Sequence, residues 1–187
     1  EKNRLISALA VAKNLAKKAI VHIEVETGMN RTGFNSIDLK WVQDFLKKHS
    51  DFIQFKGLCT HFAGAESIAN YFRIKKQIDR YDEIYQQFCA KNLKPQQRHS
   101  ACSAAAMMYP ETQMDMVRIG IMQYGFWPSP EVLVNFYNTK RKNENPLKRV
   151  ISWKSSVMSV KKVKRGEFVG YGTSFMADAQ MKIACVP

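Results

Sequence analysis

Residues 21–34 read VHIEVETGMNRTGF. Val21, Ile23 and Val25 alternate with His22, Glu24 and Glu26, the period of a strand with one buried face. The run then breaks into a polar turn bracketed by Gly28 and Gly33 and carrying Arg31. A buried strand that ends by displaying a guanidinium is the first sign of a binding mouth at strand ends.

Outward from this stretch the chain alternates strands and helices. Upstream, EKNRLISALAVAKNLAKKA puts Leu5, Leu9, Ala12 and Ala16 on one helical stripe. Downstream, Ser36 is placed to cap a helix with Ile37, Trp41 and Phe45 on its face. A second buried strand is predicted around residues 53–62, ending in Ala63-Gly64-Ala65-Glu66. Tyr71, Ile74, Ile78, Tyr81, Tyr85 and Phe88 then recur at three and four, a helix packed on a sheet. Residues 96–103 predict a third strand, SAAAMM a short helix and VRIGIMQYGF a fourth strand. Apolar strands alternating with helices imply parallel βαβ units.

The pattern changes after about residue 140. KRVISWKSSVMSVKKVKRGEFVGYGTSF is rich in Val, Ser and Thr and has no helical period. The expected organisation is α/β: part of a (β/α)8 TIM-type barrel over residues 1–140, and the beginning of an all-β domain over 141–187. No capping residue precedes the first helix, and MKIACVP ends the chain within a predicted strand. The sequence therefore reads as an interior piece of a longer protein.

With 187 residues, 45% of them hydrophobic, the chain can bury about one domain's core. No apolar run approaches the roughly 18 residues of a membrane span, and no signal-peptide pattern opens the chain. Cys59, Cys89, Cys102 and Cys185 are scattered without a CxxC pair, the pattern of reduced thiols in a cytosolic protein. Cys59-Thr-His61 and His99-Ser-Ala-Cys102 offer two thiols and two imidazoles, yet neither spacing is usual for zinc, and core cysteines are the expectation. The formal net charge of +13 raises nucleic acid as a partner. The basic residues, however, are spread over helix faces and two short clusters, 140–142 and 161–165, without a nucleic-acid motif. A solvated surface is the expectation; a basic binding module would require salt-sensitive association.

Each predicted strand of the first part ends in unusual chemistry: Arg31, then His61, then Ser103, then Arg118 with Gly120. In a (β/α) barrel those ends form the active-site face. For any one of them the bland account, a side chain satisfying a nearby carbonyl or helix end, is sufficient; four in succession favour a site. The backbone N–H groups near Gly120 and Ile121, with the Ser103 hydroxyl, suit a phosphate dianion. No Walker-type loop is present to favour a nucleotide.

VETGMNRTGF, GLCTHFAGAE, SACSAAAMMYPETQMDMVRIGIMQYG and VGYGTSF, in this order, resemble the alanine racemase family of fold-type III enzymes dependent on pyridoxal 5′-phosphate. The resemblance covers nearly the whole chain, matching the second half of that family's barrel and the start of its C-terminal β domain. It implies that Arg118 hydrogen-bonds the cofactor's pyridine nitrogen. Because a guanidinium does not readily give up a proton, the ring stays a weak electron sink, which favours racemisation over transamination. It implies that His61 lies between Arg118 and the catalytic tyrosine, and that Ser103, Gly120 and Ile121 contact the phosphate. Tyr171 matches a base that acts in the partner subunit's site of a homodimer. Arg31 matches the arginine beside the cofactor's phenolic oxygen that also places the carboxylate of the substrate, alanine.

Two positions depart from the pattern. Glu24 stands where some members carry a carbamylated lysine, and the expectation is that it supplies that negative charge directly. Cys102 stands where asparagine is common, which puts one polar contact near the cofactor in doubt. The cofactor-anchoring lysine belongs to the barrel's first strand, absent here, so this piece alone is expected to be inactive. The resemblance implies a cytoplasmic racemase supplying D-alanine for peptidoglycan. A broader-specificity amino-acid racemase and a non-catalytic pyridoxal-phosphate-binding homeostasis protein are the alternatives. VGYGTSF speaks against the latter, which has no β domain.

Overall fold

The computed structural model describes residues 1–140 and 144–187. They form two compact units, Glu1–Val150 and Ile151–Pro187. The first contains a parallel three-stranded sheet in the order β1-β2-β3, built from β1 (Ala19–Glu24), β2 (Ile53–Cys59) and β3 (Gln97–His99). Helices α1 (Lys2–Asn14), α2 (Leu39–Lys48) and α3 (Tyr71–Ala90) alternate with these strands, followed by α4 (Ser103–Met108) and α5 (Pro130–Lys140). Parallel pairing with intervening helices is the βαβ arrangement that the alternating apolar runs predict.

Leu5, Leu9 and Ala12 of α1 are buried as expected, but Ala16 lies beyond the helix in a left-handed conformation, with φ 48°. In α2 the fully buried residues are Leu39, Val42, Gln43 and Leu46; Trp41 and Phe45 of the expected face are half-buried and pack against the same core, and Ile37 does not. The cause is a 3-10 turn over Ser36–Asp38, which delays the α-helix and turns its phase; Ile37 is left exposed. Ser36 makes no capping bond and instead accepts from Arg80. The stripe of α3 buries Ile74, Ile78, Tyr81 and Phe88, together with Gln77 and Ile84, while Tyr71 is exposed.

One core cluster joins the first two strands to α1, α2 and α3 through Leu9, Ile23, Val42, Leu58, Ile84 and Phe88. A second lies between α3, α4 and α5, centred on Phe62, Ile74, Ala105 and Val132. Burial of a single such aliphatic side chain stabilises by about 1.5–3 kcal/mol.

The expected fourth strand does not form. Its residues make one parallel bridge, Cys102 with Arg118, and then enter a 3-10 turn at Ile121–Tyr124 that ends on left-handed Gly125, φ 84°. β3 is itself three residues long, so little strand edge remains to extend the ladder.

The second unit is all β. β4 (Ser159–Val163) pairs antiparallel with β7 (Met181–Cys185), and β5 (Phe168–Val169) with β6 (Phe175–Met176). Among the described residues no helix is long and apolar enough to cross a membrane.

Candidate active site at the strand ends

The turn after β1 is built around Glu26. Its carboxylate accepts from the backbone N–H groups of Gly28 (2.5 Å), Met29 (2.7 Å) and Asn30 (2.8 Å). Desolvation works against the charge, but these donors, with the N–H of Arg31, hold the carboxyl below its usual range. Gly33, φ 105°, closes the turn where a side chain could not fit: a Cβ would lie 2.9 Å from the backbone of Glu26 and of Val25. The result is a tied loop that leaves Arg31 exposed at its tip. Glu24 accepts from the Thr32 hydroxyl at 3.0 Å and forms no ion pair with Arg31.

The ends of β1 and β2 are joined through two threonines. Thr60 donates to the carbonyl of Val25 at 2.8 Å, so the 2.8 Å contact between its hydroxyl and that of Thr27 must be donated by Thr27. Buried Gln77 of α3 pins the following loop, accepting from Ala63 N–H at 3.0 Å and donating to the Ala63 carbonyl at 3.0 Å. His61 sits between these two fastenings.

Arg118 crosses the mouth. Nη2 donates to the Thr60 carbonyl at 2.6 Å and lies 3.5 Å from His61 Nδ1. Nη1 donates to the His99 carbonyl at 3.1 Å and to His99 Nδ1. Its own backbone N–H donates to Ala101 at 2.9 Å. Among the described residues Nε–H has no acceptor, leaving one strong donor for a ligand. Because Arg118 only donates, both imidazoles present a bare Nδ1 to it and, when neutral, carry their proton on Nε2.

Burial, then Arg118 and Arg31, hold His61 below its ordinary range, with Glu24 acting weakly in the other direction. Burial, Arg118 and His22 push His99 down to about 4. Desolvation and the Lys56 charge lower His22 as well. All three imidazoles are therefore neutral near pH 7.

Ser103 is buried at the start of α4 and accepts from Gly120 N–H at 2.9 Å, which leaves its own O–H to donate. A Cβ built on Gly120 meets nothing within 4 Å, so open space adjoins this pair. Ile121, the next residue, is exposed at the head of the 3-10 turn. Cys102 is half-buried and bridges to Arg118 through its backbone. Burial pushes the Cys59 thiol up to about 11, against the opposing effect of Arg118, so it is inert as a nucleophile near neutrality. Tyr171 belongs to the second unit, where it is fully exposed between Gly170 and Gly172, beyond β5.

His61, His99 and Arg118 thus form one hydrogen-bonded group, and Ser103 with Gly120 a second. Nothing in the sequence singles out His22 or Thr60, and His99 stands out only in a Cys/His pattern whose spacing is unusual for zinc. The signal that could have found the histidines was a glycine inside a strand, Gly57, a mark of close approach by another group.

Fold and site together define a partial (β/α) barrel followed by a β unit, with a donor-rich mouth at the C-terminal strand ends organised by an obligate donor, Arg118. The chain belongs to the alanine racemase family. The family's N-terminal domain profile matches residues 2–128 and its C-terminal domain profile residues 150–187.

Alanine racemase of Leptospira interrogans is 33% identical over 189 residues, spanning 100% of this chain and 46% of that relative. The Ligilactobacillus salivarius enzyme is 35% identical over 169 residues, spanning 89% of this chain and 42% of its own length. The solved alanine racemase from Streptomyces coelicolor superposes with a TM-score of 0.73 at 25% identity, covering 97% of this chain and 46% of that one. Alanine racemase from Bacillus anthracis with bound L-Ala-P superposes at 0.65 and 26% identity, covering 95% and 44%. The chain thus spans less than half the length of the curated relatives it matches.

Proposed function

We propose that the protein containing this chain is a pyridoxal 5′-phosphate-dependent alanine racemase, a cytoplasmic homodimer interconverting L- and D-alanine and supplying D-alanine for peptidoglycan. The observation that carries the reading is Arg118: fastened by both Nη groups, with Nε–H left to donate, in a chain of this family.

The residues fit the cofactor in kind. A pyridine nitrogen is an acceptor, and Arg118 offers it a donor that cannot transfer its proton. A phosphate needs donors and room, which the Ser103 hydroxyl, held by the Gly120 N–H, the backbone N–H of Ile121 and the open space beside Gly120 offer. When bound, pyridoxal phosphate supplies the electron-withdrawing ring that makes the α-proton of an amino acid removable. Arg118 tempers that withdrawal by leaving the ring nitrogen unprotonated.

His61, with Nδ1 towards Arg118, has Nε2–H free to hold the phenolate oxygen of Tyr171 from the partner subunit. That hydrogen bond, backed by the Arg118 charge, favours the ionised tyrosine needed to take or return a proton on one face of the substrate. Arg31, presented by the Glu26-tied turn, receives the substrate carboxylate, with Glu24 supplying a neighbouring negative charge. Cys102 is a supporting position beside Ser103. The covalent anchor and the second base fall to residues outside this chain.

The test is Tyr171→Phe in the full-length protein, followed by exchange of the α-proton of each alanine enantiomer with deuterated solvent. The variant retains the cofactor's visible absorbance and loses exchange from one enantiomer by about 10²–10⁴-fold. Full racemase activity in the variant overturns the assignment.

A further inference from the structure

β1 and β3 are separated by β2, yet His22 on β1 and His99 on β3 are hydrogen-bonded, Nδ1 to Nε2, at 2.7 Å. Two backbone features make this reach possible. His22 registers with Gly57 of β2, and Gly57 with Gln97, two residues before His99. The imidazole therefore crosses over the β2 backbone at a position without a side chain. A Cβ on Gly57 would overlap it: the three nearest atoms are Nδ1, Cε1 and Cγ of His22. The pairing register also shifts between Val21 and His22, an irregularity of the kind that re-aims a strand side chain. Glycine inside a strand weakens it; here its missing side chain is the passage.

The chemistry then fixes a direction. Arg118 donates to His99 Nδ1, so neutral His99 carries its proton on Nε2 and donates it to His22 Nδ1. His22 in turn keeps its own proton on Nε2. One guanidinium orders two imidazoles on two strands. The dependence also runs backwards: His99 is buried, and without His22 its Nε2–H loses its acceptor. Moving the proton to Nδ1, or flipping the ring, would then relieve Nε2 at the cost of the Arg118 bond.

We infer that His22, seated over Gly57, is a positioning residue that acts through His99 to hold the Arg118 guanidinium with Nε–H free for an acceptor ring. The relay stands on the hydrogen bonds themselves; its effect on cofactor affinity rests on the function proposed above.

The test uses full-length protein labelled with 15N-histidine, whose long-range 1H–15N spectra report which ring nitrogen of each imidazole is protonated. Wild-type His99 reads as the Nε2–H tautomer. In His22→Phe the His99 signals shift to a tautomer mixture, and pyridoxal 5′-phosphate, titrated by absorbance, binds about five- to tenfold more weakly, the effect of one lost hydrogen bond. Gly57→Ala, which keeps His22 but displaces its ring, reproduces both changes. His22→Asn, whose side-chain carbonyl can accept from His99, restores both. Unchanged His99 signals and unchanged cofactor affinity in His22→Phe and Gly57→Ala overturn the inference. The tautomers are read without cofactor, so a protein that shows the relay but binds no pyridoxal phosphate refutes the cofactor reading and supports the relay.

Discussion

Arg118 donates to the carbonyl of Thr60 at 2.6 Å and so closes the end of β2 from a segment that is not itself a strand. Its other fastenings are the carbonyl and ring of His99 at the end of β3. No carboxylate pairs with this guanidinium among the described residues; carbonyl dipoles and imidazole lone pairs compensate it instead. That choice leaves the positive charge undiminished for an incoming ligand, and it makes planar, multidirectional donation indispensable.

Lysine cannot replace it. Arg118→Lys keeps the charge but offers a compact ammonium that cannot reach two carbonyls and two imidazoles together. The variant should lose about 1–3 kcal/mol of stability from buried groups left unpaired, measured by urea unfolding, and should bind pyridoxal 5′-phosphate more weakly. Wild-type stability in Arg118→Lys would mean that the bonds to Thr60 and His99 contribute nothing.

The turn carrying Arg31 should depend on Glu26 more than on any apolar contact, since one carboxylate collects the N–H groups of Gly28, Met29 and Asn30. Glu26→Ala leaves those donors to solvent. We expect a stability loss of about 1–3 kcal/mol and faster amide hydrogen exchange at residues 28–30. Unaltered exchange there would show that the turn is held by other means.

Part of this architecture is legible in the sequence and part is not. The βαβ alternation could be read from Val21, Ile23 and Val25 and from the α3 stripe, because burial on one face imposes a period on the sequence. Of the polar residues expected at the strand ends, His61 and Arg118 meet, Ser103 meets Gly120, and Arg31 stands exposed on its own turn. The phase of α2 was not, because the 3-10 turn at Ser36–Asp38 leaves no periodic mark. The bridge that replaces the fourth strand was hidden too: VRIGIMQYGF has a strand's composition but lacks a ladder to join. His22 and His99 were missed because their meeting depends on pairing register, which links positions far apart in the chain.

Glu24 tests charge separately from hydrogen bonding. Its hydrogen-bond partner is Thr32, so Glu24→Gln preserves an acceptor for that hydroxyl while removing a negative charge from the base of the turn that carries Arg31. In the full-length protein the KM for alanine should rise by up to about fivefold, the scale of an exposed charge pair, with kcat changed less. Unchanged kinetics would discard the electrostatic role.

Stability should fall on mild acidification, and His99 sets the window. Burial first, then Arg118 and His22, hold its folded pKa near 4, against about 6.5 in an unfolded chain. Between those values the unfolded state binds a proton that the folded state refuses, so stability rises with pH across the interval. The contribution is complete above about 6.5, is lost progressively as pH falls towards 4, and levels off below. His61 and His22, also lowered, act in the same direction and steepen the upper part of the window. Glu26, a carboxyl held below its ordinary value, adds a loss at more acidic pH. Urea midpoints measured from pH 7.5 to 4 should decline through this interval, and His99→Asn, which keeps polar groups but cannot titrate, should flatten the curve. An identical pH slope in wild type and His99→Asn would show that the proton refused on folding belongs to another group.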